Sequence, residues 1–233
     1  MPGCACLARR GFLGGLVAFA ALRTAPTRAQ ADICPSSAAA VVVRPIATQP
    51  QYDYSRTIAD LAAISAVRAG PHGTLTRHGR KPAGLTTADF EANWLITLAG
   101  RRDGRRSCVT PQRVEVDLRI ARHHVYVARD ATQVATCKRE VVLEHENRHV
   151  KINLDCIADA KRRIEQVLAA FVPQLPPLEG DNLDPQAAAD RYKQMLAKPI
   201  GDAFDGALAT ANMKHAAMDT NEAYARDWGK CTA

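Results

Sequence analysis

Three features of the sequence predict an α+β fold: alternating apolar residues over Phe90–Leu98 and again over Val114–Ile120, an unbroken helical stretch from Thr132 to Phe171, and more helical spacing after residue 184. Period two marks strands with one buried face, whereas apolar residues three and four apart mark helices that bury a stripe. The expected architecture is a small antiparallel sheet of three or four strands between residues 41 and 128, then one long helix, then a helical C-terminal part. With 233 residues, 47% of them hydrophobic, the chain can build one sizeable domain, expected over 51–233 behind an N-terminal segment at 32–50.

The first 31 residues have a different character. Arg9 and Arg10 precede "GFLGGLVAFAAL", a run of 12 residues, too short for the roughly 20 apolar residues of a membrane span. A small-residue cleavage pattern ending at Ala31 follows, so residues 1–31 read as a signal peptide. The pair Arg9-Arg10 with Phe12-Leu13 resembles a twin-arginine export signal, which implies folding before export. A periplasmic or secreted location is expected, with no integral membrane segment once the leader is removed. Removing it takes four arginines and no acid, leaving 27 basic residues against 24 acidic ones, about +3. That balance is too weak to bind nucleic acid. The basic cluster "RRDGRRSC" at 101–108 lacks interleaved aromatic residues and reads as a solvated turn, so nucleic acid is excluded as a partner.

Cys34, Cys108, Cys137, Cys156 and Cys231 remain after the leader, and an oxidising compartment predicts two disulfides and one spare thiol. Cys137 and Cys156 on one helix would stand roughly 28 Å apart and cannot bridge, so each needs a partner elsewhere.

Along the mature chain, "VVVRPI" reads as a short strand. Ile58, Leu61, Ile64 and Val67 have helical spacing, with Ser55 or Thr57 as cap and Gly70-Pro71 as stop. Residues 71–84 read as a loop. Phe90, Ala92, Trp94, Ile96 and Leu98 form one alternating run, and Val114, Val116, Leu118 and Ile120 another that continues to Val125 and Val127. Glu115 and Asp117 fall on the solvated face of that strand. His123 and His124 point to opposite faces and read as sheet-edge or surface residues. Beyond the long helix, "VPQLPPLEGDNLDP" ends it, and two more helices are expected at about 185–198 and 202–227.

Val134, Cys137, Val141, His145, His149, Ile152 and Cys156 lie on one stripe of the long helix, apolar except at the two histidines. Burying polar groups without partners costs several kcal/mol (~2–7), so this face needs something that histidines bind, and a metal ion fits best. His145-Glu146-Asn147-Arg148-His149 is an H-E-x-x-H motif. Two histidines one turn apart converge on one Zn²⁺, and Glu146 stands one residue along, where it reaches a zinc-bound water without ligating the metal. Zinc lowers the pKa of that water toward ~7, so Glu146 can act as general base and return the proton to a leaving amine.

These residues resemble the zincin metallopeptidases, and more narrowly a bacterial family of predicted secreted zinc-dependent proteases. "QYDYSRTIADLAAISAVRAGP", "LTTADFEANW", "SCVTPQRVEVDL" and then the H-E-x-x-H helix follow that family's order over most of 51–170. The resemblance implies a zincin-like α+β domain, a Zn²⁺ cofactor and a peptide or protein substrate. The C-terminal part departs from the family: where a Tyr-Asp and Thr-x-His-Gly signature is expected, this chain has "MDTNEAYARD".

A hydrolytic zinc takes three protein ligands and one open position. Asp155 holds the place of the metzincin third ligand, but Ile152 stands where those enzymes turn the chain with glycine. On a continuous helix Asp155 points about 240° away from His149 and misses the metal, and Glu165 lies further still. Glu222 in "TNEAYARD" resembles the start of the glutamate helix of gluzincin peptidases, which implies Glu222 as third ligand and Asp227 as an outer support for a histidine. His215 and then Asp219 are the alternatives. Tyr224 reads as a packing residue rather than an oxyanion donor. The function expected is therefore an exported zinc peptidase with His145, His149 and Glu222 on the metal and Glu146 as catalytic base. The alternative is an envelope-associated binding or structural module with a non-catalytic zinc site.

Overall fold

The computed structural model describes residues 33–35, 38–46, 48–69, 82–131 and 136–231. The expected leader, most of the expected loop at 71–84, and Val134 lie outside the described residues. In chain order the elements are β1 (Ala40–Ile46), β2 (Gln51–Asp53), α1 (Ile58–Ala69), β3 (Gly84–Asp103), β4 (Arg106–Val127), α2 (Thr136–Phe171), β5 (Leu178–Asp181), α3 (Pro185–Met218) and α4 (Asn221–Gly229).

The α+β class stands, but the small antiparallel sheet does not. The sheet has five strands in mixed pairing around β4. On one edge β4 pairs antiparallel with the whole of β3. Its other edge is tiled by three short strands: β5 antiparallel at 106–109, then β1 parallel at 113–119 and β2 parallel at 124–126. Alternation reveals strands and their buried faces but not their direction, which the connections set. A two-residue turn joins β3 to β4, with Asp103 paired to Arg106 and Gly104 at φ +59°, a conformation glycine adopts without penalty. The cluster around "RRDGRR" is that turn. β1 and β2 precede α1 and β3, so they reach β4 after a long crossover and run with it.

Two register shifts decide which β4 side chains face inward. The pairing skips Gln112 and Ala121, each a one-residue bulge in β4. After the second bulge the buried positions change from Val116, Leu118 and Ile120 to His123, Val125 and Val127. His123 is thus 1% exposed, which corrects its reading as a sheet-edge or surface residue. Glu115 and Asp117 keep the outer face, where Arg113 and Arg44 pair with them.

Two expected C-terminal helices are replaced by a different division. α3 runs straight through Pro199. An internal proline costs ~3 kcal/mol, but Leu196 and Ile200 on either side are fully buried, at roughly 1.5–3 kcal/mol each, which offsets it. The break falls instead at Asp219 and Thr220. Thr220 caps α4 by accepting a hydrogen bond from the Ala223 N–H, and Asp219 caps the end of α3.

The main core joins the inner face of the sheet (Val43, Ile96, Val114, Val116, Leu118, Ile120) to α2 (Ile157, Ala160, Ile164, Leu168) and α3 (Tyr192, Leu196, Ile200, Ala207). Cys34–Cys108 ties the segment before β1 to β4, and Cys137–Cys231 ties the start of α2 to the end of α4. Cys156, the spare thiol, is buried and has no disulfide partner. No helix among the described residues is long and apolar enough to cross a membrane.

Candidate metal centre

The first half of α2 presents His145, Glu146 and His149 to a pocket closed by the α3–α4 junction, and all three are less than 8% exposed. Asp219 projects into it from the junction. His145 Nε2 and His149 Nε2 lie 3.1 Å apart, and each is 3.2 Å from Asp219 Oδ1. The three atoms form a nearly equilateral triangle. Four tetrahedral donors at ~2.0–2.1 Å from zinc stand roughly 3.3–3.4 Å apart, so the donor set fits such an ion in both chemistry and spacing.

The partners of these histidines set the charge around the triangle. His145 Nδ1 lies 3.2 Å from Asp227 Oδ2 and 3.3 Å from Arg148 Nη2; with the ring proton on Nδ1 the carboxylate accepts it and Nε2 keeps a lone pair. Arg148 also binds Asp227, and although burial pushes its pKa up, Arg148 and His145 hold that carboxyl below its ordinary range. Asp219 is likewise held well below its ordinary range: burial opposes ionisation, but His145, His149 and the Tyr224 hydroxyl outweigh it. Burial disfavours a charged His145, yet Asp219, Glu146 and Asp227 together raise its pKa above the ordinary value. The pocket therefore calls for positive charge at its centre, as a proton or as a metal ion.

Glu146 does not join the triangle. Its Oε2 accepts a 2.7 Å hydrogen bond from Thr86 Oγ1 on β3. Burial raises its pKa, while His149 and Thr86 pull the other way. β3 passes so close that a Cβ on Gly84 would lie 2.5 Å from Glu146 Oε1 and 2.7 Å from Val142 Cγ1. Glycine is required there by the close approach of the strand.

Of the residues singled out from sequence, His145, His149 and Glu146 come together, and Asp227 backs His145. Glu222 does not reach the triangle, whose third corner is Asp219. In α4 the inward residues are Ala223 and Asp227, one turn apart, so Glu222 is rotated about 100° away and is exposed. Asp155 points outward and pairs with Lys151, and Glu165 pairs with Lys161. His215 contacts His149 through Nδ1 to Nδ1 at 2.7 Å, on the ring edge away from the triangle.

Tyr224 belongs to the site, contrary to its packing assignment. Its hydroxyl donates to Asp219 Oδ1 at 3.0 Å and its ring stacks on His145 at 4.8 Å. Thr86, Asn153 and His123 had no sequence signal toward the site, since they come from β3, a further turn of α2 and the bulged part of β4. Asp219 had one: Thr220 is a cap residue, and a helix starting after it puts Asp219 at a bend. The cluster of Cys34, Cys108 and Glu179 holds no metal, because both sulfurs are in a disulfide. No protein-family model, curated protein or solved structure matches this chain.

Proposed function

We propose that the chain is an exported zinc-dependent peptidase of zincin type, with the metal held by His145, His149 and Asp219 and with Glu146 as general base. The observation that carries the reading is the donor triangle, 3.1–3.2 Å on each side, beside a separate buried carboxylate. Zinc bound there would supply Lewis acidity to a peptide carbonyl and to a water molecule. Glu146 then takes the proton of the attacking water and passes it to the departing amine nitrogen. Its raised pKa brings it closer to neutral pH, where a carboxylate exchanges protons most effectively. Thr86 holds the carboxylate in position. Asp227 keeps His145 in the tautomer whose Nε2 lone pair faces the metal. The two disulfides accord with an oxidising, extracytoplasmic location.

The test is metal analysis of the purified mature protein together with cleavage of casein or a peptide library. About one zinc per chain, and cleavage abolished both by chelation and by Glu146→Gln with zinc retained, is expected. Zinc without cleavage, or cleavage indifferent to Glu146→Gln, would leave only a structural zinc module.

A further inference from the structure

Behind His149 runs a second set of polar groups, the half-buried His215 and the buried Asn153 and His123. His149 Nδ1 lies 2.7 Å from His215 Nδ1. His215 Nε2 lies 3.0 Å from Asn153 Oδ1, and Asn153 Nδ2 lies 3.3 Å from His123 Nε2. The row thus passes from α2 to α3, back to α2 one turn further on, and into the bulged segment of β4. Asn153 and His123 are 3% and 1% exposed, so water cannot substitute for a missing partner.

We infer that His215, Asn153 and His123 form a one-way hydrogen-bond chain that positions His149 for the metal. The inference rests on the zinc reading above. The number of ring protons fixes the direction of each bond. A metal at His149 Nε2 requires a lone pair there, so the single ring proton sits on Nδ1 and is donated to His215 Nδ1. His215 must then carry its own proton on Nε2, which is donated to the amide oxygen of Asn153. The amide nitrogen of Asn153 donates in turn to His123 Nε2, leaving the proton of His123 on Nδ1. That nitrogen is buried with no hydrogen-bond partner among the described residues, so it asks nothing of the chain and leaves Nε2 free to accept. Every link has one donor and one acceptor, and no link can be reversed without reversing all of them.

Geometry agrees with this polarity: His215 meets His149 through Nδ1 and Asn153 through Nε2, so a neutral His215 offers one acceptor and one donor nitrogen, one to each neighbour. The two metal histidines are therefore oriented by different means: His145 by an ionised carboxylate, His149 by a neutral chain. These are positioning residues, since none touches the metal or the reacting atoms. The β4 bulge at Ala121 acquires a role, because without it the inward position would pass to a neighbour of His123.

The experiment uses the mature protein and two near-isosteric variants. Asn153→Asp still accepts from His215 Nε2–H, whereas Asn153→Leu cannot. Zinc affinity is measured by competition with a chromophoric chelator, Co²⁺ absorption reports the ligand geometry, and ¹⁵N imidazole spectra report the tautomers. Asn153→Leu is expected to weaken zinc binding ~10–100-fold and alter the Co²⁺ spectrum, with Asn153→Asp restoring affinity to within a few-fold of wild type. A purely structural role predicts the opposite order, because a buried carboxylate harms the fold more than leucine does. In wild type the ¹⁵N spectra should show His149 protonated on Nδ1 and His215 on Nε2, a readout that survives failure of either variant to fold. Unchanged affinity in Asn153→Leu, or a His149 proton on Nε2, would overturn the chain while leaving the zinc site intact. A wild-type protein that binds no zinc would instead overturn the zinc reading, and the chain with it.

Discussion

The two halves of α2 carry the same buried stripe but bury opposite chemistry along it. From Cys156 to Leu168 the stripe is Cys156, Ile157, Ala160, Ile164 and Leu168, packed against α3 and the sheet. From Val141 to Asn153 it includes His145, Glu146, His149 and Asn153, all of them buried as well. The apolar half needs only close contact. The polar half is tolerated because its members find partners on four other elements: Thr86 on β3, His123 on β4, Asp219 at the end of α3 and Asp227 on α4. A rigid core beneath and a disulfide at the far end fix the spacing that the polar half cannot set alone.

That contrast can be broken most severely at Asp219. Asp219→Asn is expected to weaken zinc binding by more than the ~10–100-fold typical of an outer partner, while Glu222→Gln leaves it unchanged. Titration against a chelator checks both. Next, Leu168→Ala in the apolar half should cost about 2–5 kcal/mol in a urea melt, yet leave zinc stoichiometry as it was. Stability and metal would then be separable along one helix.

Gly84→Ala tests the strand that presses on Glu146. Its methyl cannot fit 2.5 Å from Oε1, so Glu146 must leave Thr86, and kcat for peptide cleavage should fall ~10–100-fold with zinc still bound. The smallest effect concerns Cys156, where burial pushes the thiol up to about 11. The unfolded chain loses that proton first, from the ordinary value of 9.0 upward. Its contribution to stability is thus complete below about pH 9 and shrinks as pH rises toward 11. Urea melts of wild type and Cys156→Ala across that range should converge; a gap that holds steady would contradict the burial.

Much of the polar half could be read from sequence, because it is local. His145, Glu146 and His149 lie within five residues of one helix, and helical geometry alone puts both histidines on one face. The long helix, the alternating runs within β3 and β4, and a turn within residues 101–108 were legible for the same reason. Asp219 was harder to see, because the helix break beside it is signalled by one threonine, while Pro199, the stronger breaker, is overridden by burial. His123 was misjudged because a single bulged residue shifts the face of every position after it.

Sequence by itself determined the local geometry of the strongly periodic segments: α1, α2 and the alternating runs of β3 and β4, with the side chains that share a face within each unbroken run. The backbone's own periodicity fixes these without reference to the rest of the chain. Only the tertiary structure decided strand direction, the third donor and the partners behind each histidine. Those depend on how separate elements pack, and packing is set by the summed burial of residues that no short stretch contains.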